Sequence, residues 1–207
     1  MSEQPLRLGV LASGGGTNLQ AILDSLHGRG VVEVVAVGSD QPGAGALERA
    51  SKAGVESRLF PRDQYPDREA RDLAVAAWLG EREVDLVVLA GYMQLLSAAF
   101  IERFGGRVIN VHPALLPSFP GLDAIGQAYR HGVRVSGVTV HFVDTGVDTG
   151  PIILQEAIAL EYTRPIEEFE DQVHRVEHRL LPQAIELIAR GAVQIDGQNP
   201  RLVRIER

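Results

Sequence analysis

Residues 6–26 read LRLGVLASGGGTNLQAILDSL, an apolar run, a glycine-rich turn and a helical pattern in succession. Leu6 to Ala12 is a short apolar run that stops at Ser-Gly-Gly-Gly, the pattern of a buried strand and its turn. From Asn18 to Leu26 the apolar residues Leu19, Ile22, Leu23 and Leu26 recur at helical spacing. Thr17 stands where an N-cap is expected. Three glycines between strand and helix let the backbone come close to a ligand. The helix start behind them offers N–H groups and a partial positive charge, so a phosphate is a natural guest. A tight turn with no ligand is the other reading of the same residues. The segment is not a nucleoside-triphosphatase loop, because the Gly-Lys-Ser/Thr ending is missing. It half-matches the dinucleotide fingerprint. Gly14 and Gly16 fit, Leu19 stands at the third glycine, and Asp40 lies near the place of the ribose-binding acid. Taken alone, the segment admits a nicotinamide-binding oxidoreductase.

Outward from this unit the alternation continues. Residues 31–37, 55–59, 85–90 and 108–111 read as strands, and residues 44–53, 66–82, 97–104 and 125–131 as helices. In the helix over 66–82, Leu73, Ala76, Ala77 and Leu79 are expected on the apolar side. Residues 135–143 and 151–160 are β-rich and expected to pair. A long helix over 165–190 is expected to bend near Pro182, which supplies no helical N–H. Residues 194–205 read as a weak hairpin. Strands alternating with helices predict an α/β fold, with a doubly wound, mostly parallel sheet flanked by helices. Without a repeat, low-complexity tract or linker, residues 1–207 are expected to form a single domain. Ligands in such sheets sit outside the carboxyl ends of the strands, which singles out residues 13–18, 90–96 and 110–121.

Composition narrows the function. A net charge of −7 argues against a nucleic-acid surface, which needs a basic face. No run approaches the ~18 apolar residues of a membrane span, so no membrane partner is expected. Met1 to Arg7 is short and polar, so no signal peptide is expected. The absence of cysteine excludes disulfides, thiolate catalysis and all-Cys zinc sites, and suits a cytoplasmic protein.

Two further segments carry chemistry. In Val108-Ile109-Asn110-Val111-His112-Pro113, strand alternation puts Asn110 and His112 on one side. An amide N–H₂ and a protonated imidazole there can together hold an oxyanion growing on a carbonyl or formyl carbon. The same residues can instead satisfy loop backbone around Pro113 and Pro117. Asp144 to Gly150 reads DTGVDTG, a turn-rich loop. A carboxylate in it favours the charged form of a nearby imidazole and orients the ring; alternatively both aspartates close Asx turns. His174-Arg175-Val176-Glu177-His178 spells an inverted zinc-protease motif. We reject a metal there, because only 29 residues (207 − 178) remain to supply a distal ligand.

Taken in order, SGGGTNLQA (13–21), LAGYM (89–93), INVHPALLP (109–117), TVHFVD (139–144), GVDTGPI (146–152) and VEH (176–178) resemble the glycinamide ribonucleotide formyltransferases, folate-dependent enzymes of purine synthesis. The resemblance covers nearly the whole chain and implies a Rossmann-like formyltransferase fold. It implies transfer of the formyl group of 10-formyltetrahydrofolate, as co-substrate and without a metal, to the amine of 5-phosphoribosylglycinamide. Asn110, His112 and Asp148 are then the catalytic trio. Gly15, Gly16, Thr17, Asn18, His174 and Glu177 are implied to bind the ribonucleotide. Arg68, Met93, Gln94, Leu95, Leu96, Asn110, Asp144, Thr145, Gly146, Val147 and Asp148 are implied to line the folate pocket. The expected partners are small molecules, with the chain a monomer or homodimer. Three positions depart from the family pattern: Gln94 where arginine is common, His174 where relatives carry Lys or Gln, and Asp123 where many carry histidine. Formyltetrahydrofolate hydrolase, which shares the N-x-H and distal Asp but usually adds an N-terminal domain, is the sister alternative. Methionyl-tRNA formyltransferase would add a basic nucleic-acid domain.

Overall fold

β1 (Leu6–Leu11), α1 (Thr17–Ser25), β2 (Val32–Ser39), α2 (Gly45–Lys52), β3 (Ser57–Leu59), α3 (Arg68–Glu81), β4 (Leu86–Leu89), α4 (Ala98–Phe104) and β5 (Val108–His112) follow one another in the first half of the chain. The structure, a computed structural model, describes residues 4–206; Met1 to Glu3 of the polar N-terminal stretch, and Arg207, lie outside them. The chain divides into two compact units, residues 1–110 and 111–207.

In the first unit the strands run parallel in the order β3-β2-β1-β4-β5. The order reverses direction at β1, so right-handed crossovers send helices to both faces, as the alternation predicts. Leu8, Val10, Val37, Val87 and Val88 are fully buried between those layers. β1 admits close helix packing at Gly9, where a Cβ would lie 2.8 Å from a Leu79 methyl of α3. Phe60 and Trp78 meet edge to face with ring centroids 5.4 Å apart. The apolar side of α3 differs from the expectation. Val75, Ala76, Trp78 and Leu79 are buried, whereas Leu73 is 41% exposed and Ala77 is exposed too. Arg71 and Asp72 take the inward positions as a buried ion pair, 2.9 Å apart, and rotate the helix away from the purely apolar reading. Asp67 caps α3 by accepting from Ala70 N–H at 2.8 Å, and Ser97 caps α4 through Phe100 N–H.

The second unit contains α5 (Ala124–His131), β6 (Val135–Phe142), β7 (Ile152–Ala159), α6 (Ile166–Ala189), β8 (Val193–Ile195) and β9 (Val203–Ile205). β6 and β7 pair antiparallel, from Val135 opposite Ala159 to His141 opposite Ile152, as expected. α6 packs on both strands and continues through Pro182. Its buried stripe is Phe169, Val173, Glu177, Leu180, Leu181, Ala184 and Ile185, at helical spacing. Glu177 is the charged member of that stripe. β8 and β9 form the small hairpin.

Candidate active site

The glycine-rich turn is shaped at Gly16, which has φ 72° and ψ 30° and stands at the N-cap of α1. A Cβ there would lie 2.7 Å from the Ala46 Cα, so both conformation and space demand glycine. Thr17 is therefore the first helical residue and not the N-cap expected for it. The turn's carbonyls point to α2: Arg49 Nε donates to Gly15 O at 2.8 Å, and Ala46 N–H to Gly14 O at 3.3 Å. Gln20 N–H closes the first turn of α1 on Gly16 O. The first turn of α1 thus begins directly behind the glycines, and the N-terminus of a helix is where an anion is received.

The turn is tied to the loop after β4. Ser13 Oγ donates to Asp40 Oδ1 at 2.6 Å and accepts Met93 N–H at 2.8 Å. Gln94 Nε2 donates to Asp40 Oδ2 at 2.9 Å, and Gln94 Oε1 accepts from Arg71 Nη1 at 3.2 Å. Asp72, paired with Arg71, also accepts Ser97 N–H at 2.6 Å. Burial pushes the neighbouring Tyr92 hydroxyl well above its ordinary value, with Asp40 and Asp72 adding to the effect and Arg71 opposing it. Met93 is 59% exposed and Leu95 is exposed, while Leu96 is half-buried. Arg68 is exposed on the first turn of α3. Asp40 is 2% exposed with both oxygens accepting hydrogen bonds from Ser13, Gln41 and Gln94. It is therefore not presented to a ribose, which removes the support that residue gave to the nicotinamide reading.

β5 ends at His112, one residue beyond the expected strand end, so the alternation that puts Asn110 and His112 on one side of the ribbon holds through both. Asn110 is half-buried and His112 is 4% exposed. In the second unit His112 Nε2 lies 2.8 Å from Phe119 O, and Nδ1 lies 3.4 Å from Asp148 Oδ2. A carbonyl only accepts, so Nε2 carries the proton, and a second proton on Nδ1 faces a carboxylate. Asp148 has φ 52°, and its Oδ2 also accepts Gly121 N–H at 2.7 Å. Its Oδ1 lies 3.5 Å from His141 Nε2. Burial pushes the Asp148 carboxyl up, but the His141 and Gly121 hydrogen bonds and the two imidazoles outweigh it and hold the group below its ordinary value.

Asp144 plays a different part. Its Oδ1 accepts Gly146 N–H at 3.0 Å and Thr149 Oγ at 2.6 Å, closing the Asx turn that carries Thr145, Gly146 and Val147 to the surface. On α6, His174 Nδ1 meets Glu177 Oε2 at 2.9 Å. That contact raises the His174 pKa against the opposing effect of burial. The histidines of the rejected zinc motif stack at 6.4 Å, and among the described residues no group of three or more His, Asp or Glu is placed to hold a metal ion.

The formyl transferase family profile matches residues 6–185. The chain belongs to the formyl transferase family. It is 41% identical over 180 residues to the phosphoribosylglycinamide formyltransferase of Bacillus subtilis (strain 168), covering 86% of this chain and 92% of that protein. It is 41% identical over 204 residues to the trifunctional purine biosynthetic protein adenosine-3 of Bos taurus, covering 97% of this chain but 20% of that much longer protein. The crystal structure of glycinamide ribonucleotide transformylase 1 from Symbiobacterium toebii superposes with a TM-score of 0.93 at 48% identity, over 98% of this chain and 95% of that one. These likenesses bear out the α/β fold with a mostly parallel sheet, and they point away from both an oxidoreductase and a hydrolase. Of the residues expected from the sequence, the first unit ties Met93 to Ser13, just before the glycine turn, and Gln94 to the same serine through Asp40, and the second joins His112 to Asp148 and His174 to Glu177. His141 and Phe119, both in contact with the His112–Asp148 pair, carried no role in the sequence reading; His141 lies within the matched TVHFVD stretch, which was its one available signal.

Proposed function

We propose that the chain moves the formyl group of 10-formyltetrahydrofolate to the amine of 5-phosphoribosylglycinamide, working as one formyltransferase domain. The family match running without a break through residues 6–185 supports the single domain. The observation that carries the chemistry is the His112–Asp148 pair at the carboxyl end of β5, with an oxygen facing each ring nitrogen. In this reading Asn110 and His112 hold the oxyanion that grows when the amine attacks the formyl carbon. Phe119 O marks the direction in which the Nε2–H of His112 presents a proton to oxygen, and the oxyanion takes over that position. Asp148 keeps the opposite side of the ring facing negative charge, which stabilises the imidazolium. Proton exchange between attacking amine and leaving nitrogen passes through His112 or one water. The N–H groups at the start of α1, with Gly15, Gly16, Thr17 and Asn18, receive the ribonucleotide phosphate. His174 and Glu177 are the α6 residues of the ribonucleotide side. The exposed Met93, Leu95 and Val147, with Gln94, Leu96, Arg68 and residues 144–148, form the folate side. The substrates are small and soluble, and the cytoplasm is the compartment that suits them.

The test is an assay of purified protein with both substrates. Formylated ribonucleotide and tetrahydrofolate in equal amounts are expected. Formate released at the same rate with and without the amine would replace this reading with the hydrolase.

A further inference from the structure

Asp40 follows β2 and lies outside the residues assigned above to either substrate. Its carboxylate is the meeting point of two hydrogen-bond chains. One runs from Met93 N–H to Ser13 Oγ and from the Ser13 hydroxyl to Asp40 Oδ1, at 2.8 and 2.6 Å. The other runs from Arg71 Nη1 to Gln94 Oε1 and from Gln94 Nε2 to Asp40 Oδ2, at 3.2 and 2.9 Å. The direction of both chains follows from their ends. A carboxylate only accepts and a guanidinium only donates, so the Gln94 amide has one allowed orientation. Ser13 must likewise give its proton to Asp40, which leaves its lone pairs for Met93 N–H. Ser13 N–H bonds Gly91 O at 3.0 Å, so the same serine grips the loop from both its backbone and its side chain. Arg71 is itself held by Asp72, and Asp72 holds Ser97 N–H at the far end of the loop. The Met93 N–H to Ser13 Oγ bond lies at the surface, and the other links are buried or half-buried, where such bonds fix geometry most strongly.

We infer that Asp40 is a positioning residue of the transfer reaction, locking the loop over residues 93–96 onto the glycine-rich turn through Ser13 and Gln94. The inference rests on the proposed assignment of that loop to the formyl donor. Gln94 then serves as a brace: its amide is turned inward to Arg71 and Asp40, and the loop offers a ligand the exposed side chains of Met93 and Leu95.

Asp40→Asn tests it. The amide keeps an oxygen for Ser13 but sets its N–H₂ against Gln94 Nε2, and turning the Gln94 amide over would aim that group at Arg71. The Met93 amide is expected to exchange its hydrogen about tenfold faster in Asp40→Asn than in the wild type, with the Val87 amide of β4 unchanged. The KM for 10-formyltetrahydrofolate is expected to rise about tenfold with kcat within about twofold, the pattern of lost binding geometry and not of lost chemistry. In Asp40→Asn/Gln94→Glu the new carboxylate at position 94 accepts from both the amide at position 40 and Arg71, and net charge is conserved. Both readouts are expected to return most of the way. Unchanged Met93 exchange and KM in Asp40→Asn would overturn the inference. So would parallel losses that the double variant leaves unrepaired, which mark a residue of stability alone. A wild type without transfer activity would overturn the proposed function, and the lock itself would then be decided by Met93 exchange and its repair. If Asp40→Asn fails to fold, Ser13→Ala, which removes the link between Met93 and Asp40, is read by the same exchange and KM.

Discussion

His112 has an oxygen acceptor at each ring nitrogen, and Asn110 stands two residues earlier on the same strand. If both supply hydrogen bonds to the oxyanion, Asn110→Ala and His112→Ala each lower kcat by ~10²–10³ while the folded circular-dichroism spectrum is kept. Retention of more than about a tenth of the wild-type rate by either variant would remove that residue from the oxyanion site. Asp148 leads to a prediction about pH. Its folded pKa lies below its ordinary value. Above the unfolded value of about 3.9 the group is charged in both states, and its stabilisation is fully present. As pH falls through that value and then through the folded pKa, the unfolded chain binds the proton more readily and the stabilisation is lost. Urea midpoints of the wild type should therefore drop more between about pH 6 and about pH 3 than those of Asp148→Asn. An equal drop in both proteins would show that Asp148 is not held ionised by its neighbours. The residues that shape this site divide by how they are read. Asn110 and His112 were legible because strand alternation alone places them on one side. The link between Asp148 and His141 was not, because it joins a turn residue to a strand residue by tertiary packing. Asp40 was legible only as a position after a strand. Its burial and its partners depend on residues 27 and 54 positions away.

At the scale of the element, the turn before α1 permits a sharp comparison between neighbouring glycines. Gly16→Ala puts a Cβ against the backbone of Ala46 at a residue with φ 72°, and is expected to cost about 1–3 kcal/mol in urea denaturation. At Gly14 an added Cβ meets nothing within 4 Å, so Gly14→Ala is expected to stay within about 0.5 kcal/mol. Equal losses would mean that the turn is not shaped by contact with α2. The strands of the first unit were read to within a residue or two because their apolar runs end at glycine or polar turns. Helix starts were read as closely, but the residue that caps α1 was not. Gly16 caps α1 by its left-handed conformation without a side-chain hydrogen bond, and a glycine gives no polar signal to distinguish that role. The face of α3 was misread for the opposite reason. Charged residues are assigned to solvent by default, yet Arg71 and Asp72 satisfy each other inside, so Leu73 and Ala77 are left outside. Glu177 breaks the same default on α6 at 5% exposure, and here the family resemblance supplied what periodicity did not.

At the scale of the whole molecule, binding and folding are linked, and the link separates the proposed activity from its rivals without any assay of catalysis. A ligand held only by the folded chain stabilises it by about 2.7 kcal/mol at one hundred times its Kd. For a chain of this size that corresponds to a rise in Tm of roughly 5–10 °C. Glycinamide ribonucleotide is expected to give such a rise. Gly16→Ala should give a much smaller one even after its lower starting Tm is taken into account, because the proposed phosphate cradle is displaced against Ala46. An oxidised nicotinamide dinucleotide is expected to give none, since the acid that would read its ribose is enclosed by Ser13, Gln41 and Gln94. The net charge of −7 sharpens the comparison. The long-range field of an acidic chain does not attract a phosphate, and in the proposed reading the binding comes from short-range N–H donors at the start of α1. Stabilisation by the ribonucleotide should therefore survive added potassium chloride, whereas binding to a basic surface would weaken steeply with salt. A Tm shift that appears with the dinucleotide, or one with the ribonucleotide that vanishes at moderate salt, would place the anion somewhere other than the glycine-rich turn.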